Sequence, residues 1–284
     1  MATFQNQATL SYNGNVINSN ITTGELLEVL SATKTAVMDN YIANDDVTYI
    51  ISIVNAGATA FTGLTITDNL GAYPFGMMEL VPLTYTAGSV QYYVNGVLQP
   101  APSAVGGPPL VITGINVPAN GNATIIYEVK ANQYAPLGVG DTIINEAEIT
   151  GAGLAAPIIV SETIATEEIS ILTISKSICP STVTENGELV YTFIIQNTGN
   201  TEATAADNVI LTDTFNPILD PISVTFNGVN WSDPANYTYN NTTGEFATVP
   251  GQITVPAATY TQDPVNGNWE VTPGVSTLVV TGTV

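Results

Sequence analysis

Apolar and polar residues alternate along most of the chain in short runs broken by Gly, Pro, Asn and Thr. VTYIISIV, from Val47 to Val54, and LVYTFIIQ, from Leu189 to Gln196, are the clearest cases. A period of two marks a strand with one buried face, and the Asn-x-Gly that closes each run supplies a turn. No stretch sustains a helical period. With 284 residues there is chain for about two domains of roughly 100–150 residues, each burying its own core. An apolar content of 45%, rich in Val, Ile, Thr and Tyr, with 24 Gly and 17 Pro, fits many short strands joined by turns. The expected fold is all-β, two tandem immunoglobulin-like sandwiches.

The runs repeat. Lys34 and Lys176, Tyr49 and Tyr191, Asn55 and Asn197, and Gly57 and Gly199 are each 142 residues apart, a spacing that shared composition does not produce. LTITDNL around Asp68 matches VILTDTF around Asp213 at a spacing of 145, the second copy carrying three more loop residues. Tyr92–Val97 then matches Val224–Val229, and Val117–Ala119 matches Val255–Ala257. The first copy continues past NATIIYEVKA to TIINEAEITG, which holds Asn145, and to a linker-like APIIVSETIATEE. The second copy reaches STLVVTGTV, the match of NATIIYEV, at Val284, so its last strand is expected to be missing. The lost strand recurs at the other end: TFQNQATLSYNG from Thr3 aligns with TIINEAEITGAG from Thr142, placing Asn6 on Asn145 and Ala8 on Ala147. The expected domains are a donor-strand segment at 1–24, a complete sandwich at 25–165 and an incomplete one at 166–284.

A sandwich short of one strand has a groove with an apolar floor and unpaired backbone along its edges. Strand donation from a neighbouring molecule fills such a groove. Donor and acceptor are different surfaces, so the contact is heterologous and grows into a filament unless a ring closes. The expected partner is therefore another copy of this chain. A longer array, cut so that a strand stands at one end and a gap at the other, would give the same pattern.

Charge narrows the functions further. There are 24 acids, three bases and no His, for a net charge of −21. Such a surface repels nucleic acid and anionic membranes, and the lack of His and Cys clusters removes the usual zinc, copper and haem sites. No cofactor or metal is expected. The acidity reads as solubility through self-repulsion; a calcium site from Asp39, Asp45 and Asp46 is the alternative, without EF-hand spacing to support it. The N-terminus lacks the charged start and apolar run of a signal peptide, and no stretch reaches membrane-span length, so an exterior location implies another exit route or lysis of the producing cell. An enzyme is not expected, since a hydrolase without His would need paired carboxylates.

All three bases are Lys, and Lys34 and Lys176 share a repeat position. Asp68 and Asp213 share a second, and Asn145 and Asn6 a third. A buried lysine amine becomes nucleophilic because desolvation disfavours its charged form, and a nearby protonated carboxyl polarises an amide so that ammonia leaves. The expected bonds are Lys34 to Asn145 with Asp68 inside the first domain, and Lys176 to Asn6 of the neighbouring copy with Asp213. A buried, hydrogen-bonded Lys–Asp pair is the plainer alternative. Lys130 reads as a surface charge. Cys179 cannot form an internal disulfide and reads as a small buried residue, or else a linker. Tyr92, Tyr93, Trp231, Tyr237 and Tyr239 fit core or edge packing, with a sugar-binding platform as the alternative. The sequons at Asn20 and Asn241 carry little meaning without a secretory signal.

The segments LTISK, LVYTFIIQNTG, TDTF and INEAEIT resemble the repeat domain of bacterial surface proteins known as the DUF-eleven family, over nearly the whole chain. The resemblance implies immunoglobulin-like sandwiches of cell-surface and appendage proteins, some suspected of isopeptide crosslinking, with the Lys, Asp and Asn positions above at the family's recurrent sites. Most members are secreted in long arrays. A two-domain chain of 29.6 kDa without a signal is more similar to the appendage proteins of clostridial endospores, which are assembled inside the mother cell. The resulting expectation is a structural subunit of a surface or spore filament, and its rival a surface adhesin that binds sugar or protein.

Overall fold

An Asn-Gly pair sets the first element. The computed structural model describes residues 2–284, with side chains from Thr3 onward. Strands β1 (Ala2–Asn6), β2 (Thr9–Tyr12), β3 (Asn15–Asn18) and β4 (Thr22–Leu26) make one long antiparallel ribbon, pairing Asn6 with Thr22 and Tyr12 with Asn15. Its tip, Asn13-Gly14, has φ of 47° and 80°. Two left-handed residues in succession match the twist of a tight hairpin, which is why Asn-Gly is favoured there. The sequence reading gave this segment one strand; the turn adds a return strand. Nearly every ribbon residue is exposed, Gly24 being half-buried.

The chain divides into two units, the ribbon falling in the first. One extends to Ala135 and resumes over Ile143–Ile164, and the other comprises Pro136–Thr142 and Ala165–Val284. The first unit contains β5 (Leu30–Ala36), β6 (Asn40–Tyr41), β7 (Asp46–Asn55), β8 (Phe61–Asp68), a small hairpin of β9 (Tyr73–Phe75) and β10 (Met78–Leu80), and β11 (Leu83–Tyr85). It continues with β12 (Gln91–Val94), β13 (Val97–Gln99), β14 (Ser103–Val105), β15 (Leu110–Val117), β16 (Gly121–Ala131), β17 (Thr142–Thr150) and β18 (Ile158–Thr166). They form two sheets, β13-β12-β16-β7-β5 with β11 also on β16, and β14-β15-β8-β17-β18-β6. Alternation decides the inner faces: Tyr49, Ile51 and Ile53 of β7, Ile125 and Tyr127 of β16, and Ile66 of β8 are fully buried. On β17 the inward set is Ile143, Asn145, Ala147 and Ile149.

The second unit contains β19 (Leu172–Cys179), β20 (Glu188–Asn197), a single 3-10 turn at Ala205–Asp207, β21 (Thr212–Thr214), β22 (Ile222–Phe226), β23 (Val229–Trp231), β24 (Tyr237–Tyr239) and β25 (Glu245–Thr248). A hairpin of β26 (Thr259–Gln262) and β27 (Trp269–Thr272), with no match in the first unit, precedes β28 (Gly274–Thr283). The sheet β19-β20-β28-β22-β23 repeats β5-β7-β16-β12-β13 strand for strand. The facing sheet stops at β21-β25-β24, the match of β8-β15-β14. Among the described residues nothing takes the places of β17, β18 and β6, so one edge of β21 is open. The protein is all-β, two tandem immunoglobulin-like sandwiches of which the second lacks its closing strands. Its core is aromatic, with Tyr191 stacked on Phe215 at 4.9 Å between ring centres.

Two measurements check this arrangement. Ile125→Ala should lower the unfolding free energy of the first unit by about 2–5 kcal/mol in denaturant titration, since it leaves a cavity in a fully buried position. In the free subunit, ribbon amides should exchange with solvent far faster than those of β7 and β16, because a lone two-stranded ribbon is marginal in water.

Candidate functional site

Lys34 faces inward because it follows Leu30 and Ala32 in the alternation of β5, opposite Ile51 of β7. Its ammonium therefore enters an apolar core, where Nζ lies 2.6 Å from Asp68 Oδ2 with both side chains wholly buried. Asp68 ends β8, flanked by Leu110 of β15 and Ala147 of β17. Its Oδ1 accepts the backbone N–H of Leu70 at 2.8 Å. Its Oδ2 accepts from both Lys34 and the Tyr127 hydroxyl. Tyr127 stands opposite Tyr49 in the β16–β7 ladder, their rings stacked 5.8 Å apart, and the Lys34 ammonium lies 4.9 Å from the centre of the Tyr49 ring.

Asn145 reaches this cluster from β17, on the facing sheet, and is fully buried. It shares the inward face of β17 with Ala147, which pairs with Asp68. Neither Oδ1 nor Nδ2 makes a hydrogen bond, however, and the Tyr49 hydroxyl makes none either. A buried polar group left so costs about 1–3 kcal/mol, and in an ordinary core such groups are paired. Burial lowers the affinity of the Lys34 amine for its proton, against the opposing pull of Asp68 and, more weakly, Glu146 and Glu162. Burial also pushes the pKa of both tyrosines up, so their hydroxyls remain donors. The site thus holds a buried amine whose hold on its proton is weakened by burial, a carboxylate bonded to that amine, and an unpaired amide.

The second unit repeats half of it. Lys176 sits opposite Phe193 in β19–β20, as Lys34 sits opposite Ile51, and bonds to Asp213 Oδ2. Its ammonium lies 4.6 Å from the centre of the Tyr191 ring and 5.6 Å from that of Phe215. With no strand over them, the side chains of Lys176 and Asp213 stay 40% and 18% exposed. Val280 takes the place of Tyr127, paired with Tyr191. Beside the open edge of β21, Leu172, Ile174, Ile195, Leu211 and Ile253 line an apolar groove.

The remaining sequence-derived residues fall as follows. Asn6 is exposed on the ribbon, opposite Thr22. Cys179 is exposed, which corrects the expectation of a small buried residue: with Lys176 turned inward, alternation puts Cys179 on the outer face of β19, as it does Val37 in the first unit. Tyr92 is buried, its hydroxyl donating to the Asn116 carbonyl at 2.7 Å. Trp231 stacks on Phe226, Tyr237 packs on Phe246, and the Tyr239 hydroxyl donates to the Leu219 carbonyl, so these aromatics are spent on packing. Lys130 is a half-exposed partner of Asp46 at 3.5 Å. Asp45 accepts from the Ile42 N–H. No three acidic, His or Cys side chains among the described residues converge as metal ligands would. No helix among them is long and apolar enough to cross a membrane. Sequence reasoning missed Tyr49 and Tyr127 as members of the site, although Tyr49 and Tyr191 share a repeat position.

No protein-family model and no curated protein sequence matches the chain. Among solved structures, the chain is similar to BcpA, the major pilin subunit of Bacillus cereus, at 11% identity over 96% of this chain and 73% of that one, with a TM-score of 0.36. It is similar to the full-length major pilin SpaD from Corynebacterium diphtheriae at 13% identity over 86% and 59%, with a TM-score of 0.35. A collagen-binding domain from a Staphylococcus aureus adhesin matches at 11% identity over 50% of this chain and all of that one, with a TM-score of 0.31. Similarity at this level carries no argument about what the chain binds or builds, which rests on its own geometry.

Proposed function

We propose that the chain is a non-enzymatic structural subunit that assembles head to tail into a filament on a bacterial cell or spore surface, the N-terminal ribbon of one copy completing the second sandwich of the next. The observation that carries this reading is that the ribbon repeats the β17–β18 hairpin. The spacing of 142 continues upstream of Lys34, matching Glu25 to Glu167, Ser19 to Ser161 and Val16 to Ile158. Across the shorter tip, Phe4, Asn6, Ala8 and Leu10 then match the inward Ile143, Asn145, Ala147 and Ile149. In the first unit this hairpin covers the edge of β8, and the matching edge of β21 is open. Phe4 and Leu10 are 58% and 63% exposed. Burying each contributes about 1.5–3 kcal/mol, and edge pairing removes unmet backbone groups.

The same reading joins the strands covalently. One proton passes from the Lys34 ammonium to Asp68, and the neutral amine attacks Cγ of Asn145. The bond from Cγ to Nδ2 breaks, Asp68 relays amine protons to the departing nitrogen, and it leaves as ammonium. The chain becomes one ammonia lighter, and Asp68 ends ionised as it began. Lys176, Asp213 and the neighbouring copy's Asn6 repeat this chemistry once the groove is filled. The motif resemblance supports a spore or cell-surface appendage, and an acidic surface suits an exposed, soluble polymer.

Two tests follow. Replacing Phe4 and Leu10 with Asp should abolish filaments in electron micrographs while leaving the circular dichroism of the subunit unchanged; filaments in that variant would sink ribbon insertion. Wild-type filaments boiled in denaturant should run as a ladder, with crosslinked peptides mapping to Lys176 and Asn6. Lys176→Arg filaments should collapse to monomers, still one ammonia lighter from the Lys34 bond. A ladder surviving in Lys176→Arg removes that pairing, and unmodified monomers throughout leave only noncovalent assembly with buried Lys–Asp pairs.

A further inference from the structure

We propose that the Tyr49 hydroxyl is the oxyanion donor for the bond between Lys34 and Asn145, a catalytic role separate from that of Asp68. The inference rests on the crosslinking reading above and adds a residue to it. Attack on Cγ drives negative charge onto Asn145 Oδ1, and a donor fixed in a water-free core stabilises that charge far more than solvent does. Asp68 is poorly placed to serve. Its Oδ1 is held by the Leu70 N–H, and its Oδ2 already faces Lys34 and Tyr127, between which protons must move. The neighbouring backbone is engaged as well: the Glu146 N–H donates to Asn69 Oδ1, and the Glu146 carbonyl accepts from the Asn69 N–H.

Among the described residues, the first unit has three buried side-chain polar atoms without a hydrogen bond: Asn145 Oδ1, Asn145 Nδ2 and the Tyr49 hydroxyl. All three belong to one cluster: Asn145 shares the inward face of β17 with Ala147, which pairs with Asp68, and the Tyr49 ring lies under the Lys34 ammonium bonded to that acid. An unused donor in the same buried cluster as an unused amide is the ground state expected of a site whose hydrogen bond forms as charge develops. The phenol keeps its proton through burial, as a donor must. The internal repeat separates the two tyrosines: Tyr49 recurs as Tyr191, beside Lys176, whereas Tyr127 is replaced by Val280. The hydroxyl assigned to the oxyanion is present in both copies, and the one that only holds the acid is not.

The test follows crosslinking in the full chain made by cell-free synthesis, quenched in acid at intervals and weighed by intact mass spectrometry. Wild type should lose one ammonia per intramolecular bond, and Tyr49→Phe should do so about 100-fold more slowly. Tyr92→Phe, which removes a buried hydroxyl bonded to Asn116, controls for general loosening and should keep the wild-type rate. Should Tyr49→Phe fail to fold, 3,5-difluorotyrosine at position 49 preserves the shape with a more acidic donor, and it should accelerate the loss of ammonia. Wild-type kinetics in Tyr49→Phe or with the fluorinated residue, or equal slowing in Tyr92→Phe, overturns the role of Tyr49 and leaves the bond between Lys34 and Asn145 standing. A wild-type chain that keeps its full mass overturns the crosslink itself, and this inference with it.

Discussion

Taking a lysine out of water costs more than one carboxylate returns unless the geometry is tight and the remaining groups are paired. In this chain the cost is incurred or avoided according to whether a strand lies beside β8 or its counterpart β21. With β17 in place, Lys34 and Asp68 are sealed in the core and burial weakens the amine's hold on its proton. Lys176 and Asp213 occupy the same register beside an equivalent tyrosine, yet they remain in partial contact with water because the strand is absent. Two copies of one arrangement thus sit in different electrostatic settings. On the proposed reading, the event that completes the second sandwich also creates the dry setting its chemistry needs.

The lysine count adds to this order. With three lysines in the whole chain and Lys130 on the surface beside Asp46, the lysines left for the proposed bonds are the two at the repeat position. Competing lysines are removed by composition. The acidic remainder makes copies repel at long range, so contact must be earned at short range by shape and apolar surface.

Much of the architecture was legible in the sequence because it is written in period-two alternation and in turns that recur at fixed spacing. The inward direction of Lys34 and Lys176, and the partnership of each with its aspartate, follow from that register. The return strand of the ribbon was legible too, in Asn13-Gly14, but it was hidden by reading residues 3–14 as a strand alone. Cys179 was legible as well: three residues after the inward Lys176 it falls on the outer face, as the exposed Val37 does after Lys34. Tyr127 escaped notice because its partner, Asp68, lies on the facing sheet, and only the packing of one sheet on the other brings the two together. The hairpin of β26 and β27 falls where the repeat spacing widens, a sign of inserted chain that says nothing of its shape.

The positions of the two lysines along the chain bear on what happens when such a polymer is pulled. Lys34 lies on the first strand after the ribbon, and Asn145 on the strand that leads through β18 toward Lys176. With both bonds made, tension entering at Asn6 would travel through the ribbon to Lys34, cross to Asn145, follow β17 and β18 to Lys176, and pass into the next copy. The residues from 35 to 144 would hang from that line as a closed loop, and those after 176 as a branch attached at one point. The sandwiches would act as clamps that hold a short covalent thread in place, and stretching the thread would not require either core to open.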